Sequence, residues 1–236
     1  FFSVESHDPD GLKMLEHFAR DVCGCAFEWN MEAYLNRMVS KITLAFPEGS
    51  AVVACSGGLL STVSFLIFNR ALGERAKCAI ADTFLLPGDE IEQAKKAVSE
   101  ASGREIDVPD VKEEMLFSLK GVKGAREKRE IVYKVIHESV KDLADHVIFP
   151  SYTGEFSPTG GLFRDEVRML GKILGLKDDF LSKRPFPGGG LAVRIGGEAT
   201  REKIAVIKKA DHVFESEIRS SGLDKKLWQY YASLIN

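Results

Sequence analysis

Ser56-Gly57-Gly58-x-x-Ser61-Thr62 is the stretch whose residue types and spacing point most directly to chemistry. The glycines allow a bend. A bend that opens into a helix leaves backbone N–H groups without acceptors at the helix N-terminus. Those groups, with the helix dipole, favour an anion such as a phosphate. The chemistry therefore depends on what flanks the bend. Ala51-Val52-Val53-Ala54 is a run of small and β-branched apolar residues and reads as a buried strand. The apolar-rich segment from Thr62 to Leu72 reads as a helix that ends at Gly73.

The same strand-then-helix alternation continues down the chain. Asn30 caps a helix with Met31, Tyr34, Leu35, Met38, Val39 and Ile42 on one face, and Pro47-Glu48-Gly49-Ser50 turns the chain. Further strands are expected at Lys77 to Ala81, Arg104 to Val108 and His146 to Phe149. Helices are expected at Glu90 to Ser102, stopped by Gly103, at Arg126 to Leu143, and at Arg164 to Leu174, stopped by Gly175. Alternating strands and helices argue for a parallel sheet with ligands at the carboxyl ends of its strands, where both Ser56 and Asp82 fall. Asp82 is equally suited to capping the next turn. Residues 150–163 and the run Lys183-Arg184-Pro185-Phe186-Pro187-Gly188-Gly189-Gly190 read as loops. Thr200 caps a last long helix with Ile204, Ile207, Phe214 and Ile218 on one face, ended by Gly222.

At the other end, Leu12, Leu15, Phe18, Ala19 and Val22 make a short amphipathic helix. Cys23-Gly-Cys25 then closes it, with packed thiols expected because no second cysteine pair has metal-ligand spacing. The 236 residues, 44% hydrophobic and 28% charged, are ordinary globular composition. A net charge of −3 sets up no general attraction to nucleic acid or anionic membrane. No apolar run reaches the roughly 20 residues a bilayer span needs. Four cysteines read as reduced cytoplasmic thiols, and a first residue of Phe1 suggests a piece of a longer chain.

Ser56-Gly57-Gly58-x-x-Ser61-Thr62 resembles the pyrophosphate loop of the N-type ATP pyrophosphatases, and four further motifs resemble the GMP synthase family in the same order. These are Leu119-Lys-Gly-Val122 with Glu127-Lys-Arg129, Leu162-Phe-Arg-Asp-Glu-Val-Arg168, Arg184-Pro-Phe-Pro-Gly-Gly-Gly-Leu-Ala-Val-Arg194, and Gly222-Leu-Asp-Lys-Lys-Leu-Trp-Gln229. Val4 to Cys25 resembles the end of a class I glutamine amidotransferase domain. The resemblance implies a tail of that domain at 1–28, an ATP-pyrophosphatase domain at 29–196 with a parallel-sheet, Rossmann-like α/β fold, and the start of an α+β dimerisation domain at 197–236. It implies that ATP with Mg²⁺ adenylates xanthosine monophosphate, that ammonia or glutamine supplies the amine, and that the product is GMP. A cytoplasmic homodimer without membrane or nucleic-acid partners goes with it. Ser56, Gly57, Gly58, Ser61 and Thr62 would hold phosphates, Asp82 would lie near the nucleotide, and Arg129 and Gln229 would contact the xanthylate.

The chain also departs from the family. Leu60 stands at the position of the loop aspartate and offers a metal no hard oxygen. Phe2, Ser3 and Val4 stand where the amidotransferase has His-Pro-Glu. His146 to Ser151 and Gly154-Glu155 replace a strand ending in Gln-Gly-Thr and a Pro-Asp. Only a short loop joins Ser157 to Leu162 where the family has a lid with Lys-Ser-His-His-Asn, and the second half of the dimerisation domain does not follow Asn236. Three readings follow: a GMP synthase-type ligase, an impaired paralogue that binds nucleotide or oligomerises, and an ATP pyrophosphatase adenylating another substrate such as a tRNA base. The near-neutral charge weighs against the last.

Overall fold

The structure is a computed structural model that describes residues 8–150, 156–185, 188–227 and 229–235. Helix α1 (Pro9–His17) continues through one wide turn, and α2 (Met31–Ala45) precedes strand β1 (Ala51–Ala54). Then follow α3 (Leu59–Leu72), β2 (Ala76–Ala79), α4 (Glu90–Ser102), β3 (Ile106–Asp107), α5 (Lys112–Ser118), α6 (Ala125–Val140) and β4 (His146–Ile148). Helices α7 (Arg164–Ile173), α8 (Asp178–Leu181) and α9 (Arg201–Ser220) complete the chain, with a 3₁₀ turn at Gly190–Arg194 between the last two.

The four strands form one parallel sheet in the order β3-β2-β1-β4. The chain builds outward from β1 through β2 to β3, then returns to place β4 on the other side of β1. The carboxyl ends of β1 and β4 therefore flank a topological switch point, where the connections diverge and leave a crevice. Both faces of the sheet are covered, which is why β1 is apolar at every position and not alternating. Ala51 and Val53 face a core built with α2, α3, α4 and α7, whereas Val52 and Ala54 pack with Val140 of α6. A further core joins α5, α6, the 3₁₀ turn and α9.

Several expected boundaries shift. Helix α3 starts at Leu59, three residues before Thr62, so Ser61 and Thr62 belong to its first turn. Strand β2 closes at Ala79, although Ile80 and Asp82 still donate single bonds to Asp107 and Pro109. Strand β3 shrinks to two residues, and α5 and α8 were not anticipated. Asn30 caps α2 through the Ala33 amide, and Thr200 caps α9 through that of Lys203. On α9, Ile204 and Ile207 are buried but Phe214 is exposed and packs edge-to-face with Tyr230. The α1 segment is helical, yet Leu12, Leu15, Phe18 and Val22 are all exposed, and so are Cys23 and Cys25, which were expected to pack. Among the described residues no helix is long and apolar enough to cross a membrane. Phe2, Ser3, Val4, His7, Ser151, Gly154, Glu155, Phe186, Pro187 and Trp228 lie outside the described residues.

The entries to β1 and β4 are clamped together. Asp145 accepts the Ser50 N–H at 2.7 Å and its hydroxyl at 2.8 Å, and His146 donates to the Ser50 carbonyl at 3.0 Å. The two bonds from Ser50 hold the Asp145 carboxyl below the ordinary carboxylate value of 3.8. A depressed carboxyl contributes stability above its unfolded pKa and loses it as pH falls through the folded one. In denaturant melts from about pH 5 to pH 2, Asp145→Asn is expected to show a shallower fall in stability than wild type. Parallel acid limbs would show that this clamp does not contribute to the acid transition.

Candidate functional site

The turn after β1 is braced from within. Gly57 takes a φ of +78°, in the left-handed region that glycine reaches at no steric cost, and Gly58 occupies the cap position of α3. The Ser61 hydroxyl accepts the Ser56 N–H at 3.1 Å and donates to the Gly58 carbonyl at 3.0 Å, with the Ser56 hydroxyl 3.2 Å away. Thr62 donates its N–H back to the Gly58 carbonyl at 3.1 Å. That leaves the amides of Gly57, Gly58, Leu59, Leu60 and Ser61 with no acceptor among the described residues, at the positive end of a 14-residue helix. The Thr62 side chain is buried, and its Oγ1 likewise has no partner there. Leu60 is half-buried and packs against the core beneath the turn.

Two other segments come to this turn. The stretch after β2 runs from Asp82 to Glu90. The stretch after α8 runs from Leu181 to the 3₁₀ turn. Lys183 joins all three: its Nζ lies 2.5 Å from Glu90 Oε2 and 3.4 Å from the Gly57 carbonyl, and both partners are largely buried. The second and third segments also touch directly. Leu191 donates to the Leu85 carbonyl at 2.9 Å, and a Cβ at Gly190 would sit 2.7 Å from that same oxygen.

Between α8 and the 3₁₀ turn the described residues form no helix or strand, and side chains donate to carbonyls along this stretch and at its ends. Arg168 donates to Leu181 at 3.2 Å and Arg164 to Lys183. Gln229 donates to Pro185 at 3.1 Å and Arg129 to Gly188 at 3.3 Å. Lys128, fully buried, donates to Ala192 at 3.1 Å and Ile195 at 2.7 Å. Burial and the nearby Lys203 push the Lys128 ammonium below its ordinary value. Arg129 and Gln229, 100 residues apart in number, therefore donate to carbonyls only three positions apart, those of Gly188 and Pro185.

Asp82 sits just beyond β2 with its carboxylate engaged. It pairs with Lys112 at 2.8 Å and accepts the Phe84 amide at 3.3 Å. This is the turn-capping geometry. It holds Phe84 at a φ of +64°, an uncommon conformation for a bulky residue, and Lys208 lies 4.1 Å from the Phe84 ring centre. The described residues contain no group of three or more His, Cys, Asp or Glu side chains able to hold a metal. With Leu60 apolar and Glu90 paired to Lys183, the turn itself fits a phosphate better than a divalent cation.

Comparison with known proteins gives this geometry a lineage. The chain is 31% identical to the glutamine-hydrolysing GMP synthase of Zymomonas mobilis over 97% of its length, and 32% identical to that of Carboxydothermus hydrogenoformans over 98%. The enzyme of Eremothecium gossypii is 31% identical over 100% of the chain. This is a divergent GMP synthase-like protein. The chain spans about half the length of these relatives, 51%, 52% and 53% respectively. No family model matches the chain. Among solved structures it resembles an NH3-dependent NAD synthetase from Campylobacter jejuni, with a TM-score of 0.54 at 18% identity, covering 66% of this chain and 78% of that one. It also resembles an NMN synthetase from Francisella tularensis, with a TM-score of 0.56 at 16% identity, covering 69% and 78%. The fold is that of the N-type ATP pyrophosphatases.

In this GMP synthase-like protein the turn is marked by its sequence motif, whereas nothing in the sequence marks Lys183, Glu90 and Lys128 as parts of one arrangement. Lys183 and Glu90 are 93 positions apart, and neither stands in a motif that advertises the other. The only sequence signal was a lysine placed at the head of the proline- and glycine-rich loop. The close approach at Gly190 is open to test. Its φ of +61° and the 2.7 Å clash with the Leu85 carbonyl should make Gly190→Ala cost about 2 kcal/mol or more in denaturant unfolding. Gly88→Ala, also at positive φ but with nothing within 4 Å, should cost only about 1 kcal/mol. Equal costs would mean that the 85 and 190 segments do not press on each other.

Proposed function

We propose that the chain binds ATP by its phosphates at the turn from Ser56 to Thr62 and adenylates xanthosine monophosphate, releasing pyrophosphate. Ammonia, free or drawn from glutamine, then displaces AMP to give GMP. The observation that carries the reading is the row of free amides at the α3 N-terminus, set at the switch point of the sheet in a GMP synthase-like chain. Pyrophosphate is a polyanionic leaving group, and preorganised N–H donors stabilise the charge it develops. Ser56, Gly57, Gly58 and Ser61 would hold the phosphates, with the buried, unpartnered Thr62 hydroxyl available as a further donor. Arg129 and Gln229 hold the carbonyls of Gly188 and Pro185, beside which the xanthylate would lie, and Asp82 orders the Phe84 segment. Mg²⁺ would arrive coordinated by the triphosphate and water, because position 60 supplies no oxygen.

The domain assignment is part of this proposal: 1–28 as the tail of an amidotransferase domain, 29–196 as the ATP-pyrophosphatase domain, and 197–236 as the start of a dimerisation domain. The exposed Leu12, Leu15, Phe18 and Val22 support the first, since that helix has its apolar side uncovered. Cytoplasmic homodimers acting on small nucleotides fit the same lineage. A second reading, a paralogue that binds nucleotide without turning it over, is favoured by Leu60, which removes an acid from the turn.

Pyrophosphate release with ATP, Mg²⁺, xanthosine monophosphate and ammonium separates the two. Release that depends on the xanthylate is expected, with formation of GMP. A thermal shift at millimolar ATP without any release would support the binding paralogue, and no shift at all would overturn both readings. Leu60→Asp is expected to raise the Mg²⁺ dependence of ATP binding.

A further inference from the structure

We infer that Lys183 is the phosphate-binding cation of the turn, and that Glu90 holds it in reserve until an anion displaces the carboxylate. The inference rests on the proposed phosphate site and adds a residue and a control to it.

The turn has donors but little positive charge of its own. Leu60 carries no carboxylate that would recruit a divalent ion, and the helix dipole supplies only about half an elementary charge. A polyphosphate therefore needs a cation from elsewhere, and Lys183 stands against the turn. Its Nζ is 3.4 Å from the Gly57 carbonyl and 4.9 Å from the face of Phe180, with the side chain 12% exposed. Its backbone is held from both sides. Its N–H donates to the Phe180 carbonyl at 3.1 Å, and its carbonyl accepts from Arg164. Arg168 fixes Leu181 two residues earlier. The stem is therefore anchored while the ammonium can swing on four methylenes.

Glu90 is equally placed. It is the first residue of α4, and its carboxylate lies 3.5 Å from where a Cβ on Gly57 would be. Its pairing with Lys183 at 2.5 Å cancels the ammonium's charge beside the turn. A bound phosphate would meet the Glu90 charge as repulsion and the Lys183 charge as attraction. Transfer of the ammonium from Glu90 to phosphate oxygens resolves both at once. An ion pair kept only to hold the fold would not distinguish its two members in this way.

The test is the affinity of the full chain for inorganic pyrophosphate by isothermal titration, without added metal, with thermal melts to check folding. Lys183→Met is expected to weaken binding about 10-fold or more, the loss of one charge-assisted hydrogen bond. Lys183→Arg is expected to retain most of the affinity, and Glu90→Gln to strengthen binding several-fold, with all variants folded. The opposite signs are the signature. If Lys183→Met and Glu90→Gln weaken binding alike, the pair is a structural clamp and the inference fails. Wild-type binding that neither variant changes also overturns it, while leaving the phosphate site standing. No wild-type binding at all overturns both the inference and the site.

Discussion

The molecule depends on how the carbonyl groups of residues 181–195 are satisfied. Prolines and glycines keep this stretch from closing a ladder of hydrogen bonds of its own, yet Leu181, Leu191, Ala192 and Ile195 are packed in the cores. A buried carbonyl left without a donor costs about as much as a lost hydrogen bond. Arg168, Arg164, Gln229, Arg129 and Lys128 meet that need from three separate parts of the chain. They thereby fix where the stretch lies against the turn after β1.

That requirement links motifs that are far apart in the chain. Arg164 and Arg168 come from the first half of α7, Lys128 and Arg129 from the first two turns of α6, and Gln229 from the C-terminal segment. Each presents a donor to the same irregular backbone. Lys128 illustrates the cost: its burial opposes its own charge, and two carbonyls at 3.1 and 2.7 Å offset this. The C-terminal segment is tied in further. Leu234 donates to the Arg194 carbonyl at 2.9 Å and accepts from Gly196 at 2.7 Å. Arg194, almost fully buried, pairs with Asp211 of α9 at 2.9 Å.

The turn after β1 is organised differently. It is held by short-range bonds within seven residues, through the Ser61 hydroxyl and the left-handed Gly57. Its free amides face whatever the longer-range network places opposite them. A self-braced turn and an externally braced ammonium thus meet beside the switch point of a parallel sheet. Leu60, within this turn, packs onto the core beneath it.

The residues in order were enough to locate β1, its glycine turn and α3, the Asn30 and Thr200 caps, and the α/β class. These features follow from local periodicity, capping chemistry and glycine stops, which act over a few residues. The shortness of β3, the helices α5 and α8, and the exposure of the apolar side of α1 were not legible there. Each is settled by neighbours that are distant in sequence. The pairing of Lys183 with Glu90, the seat of Lys128, and the convergence of Arg129 and Gln229 on the Gly188 and Pro185 carbonyls are tertiary facts for the same reason. An ammonium or guanidinium reads as a solvated surface charge until the fold brings an unsatisfied carbonyl or carboxylate within 3 Å or so of it.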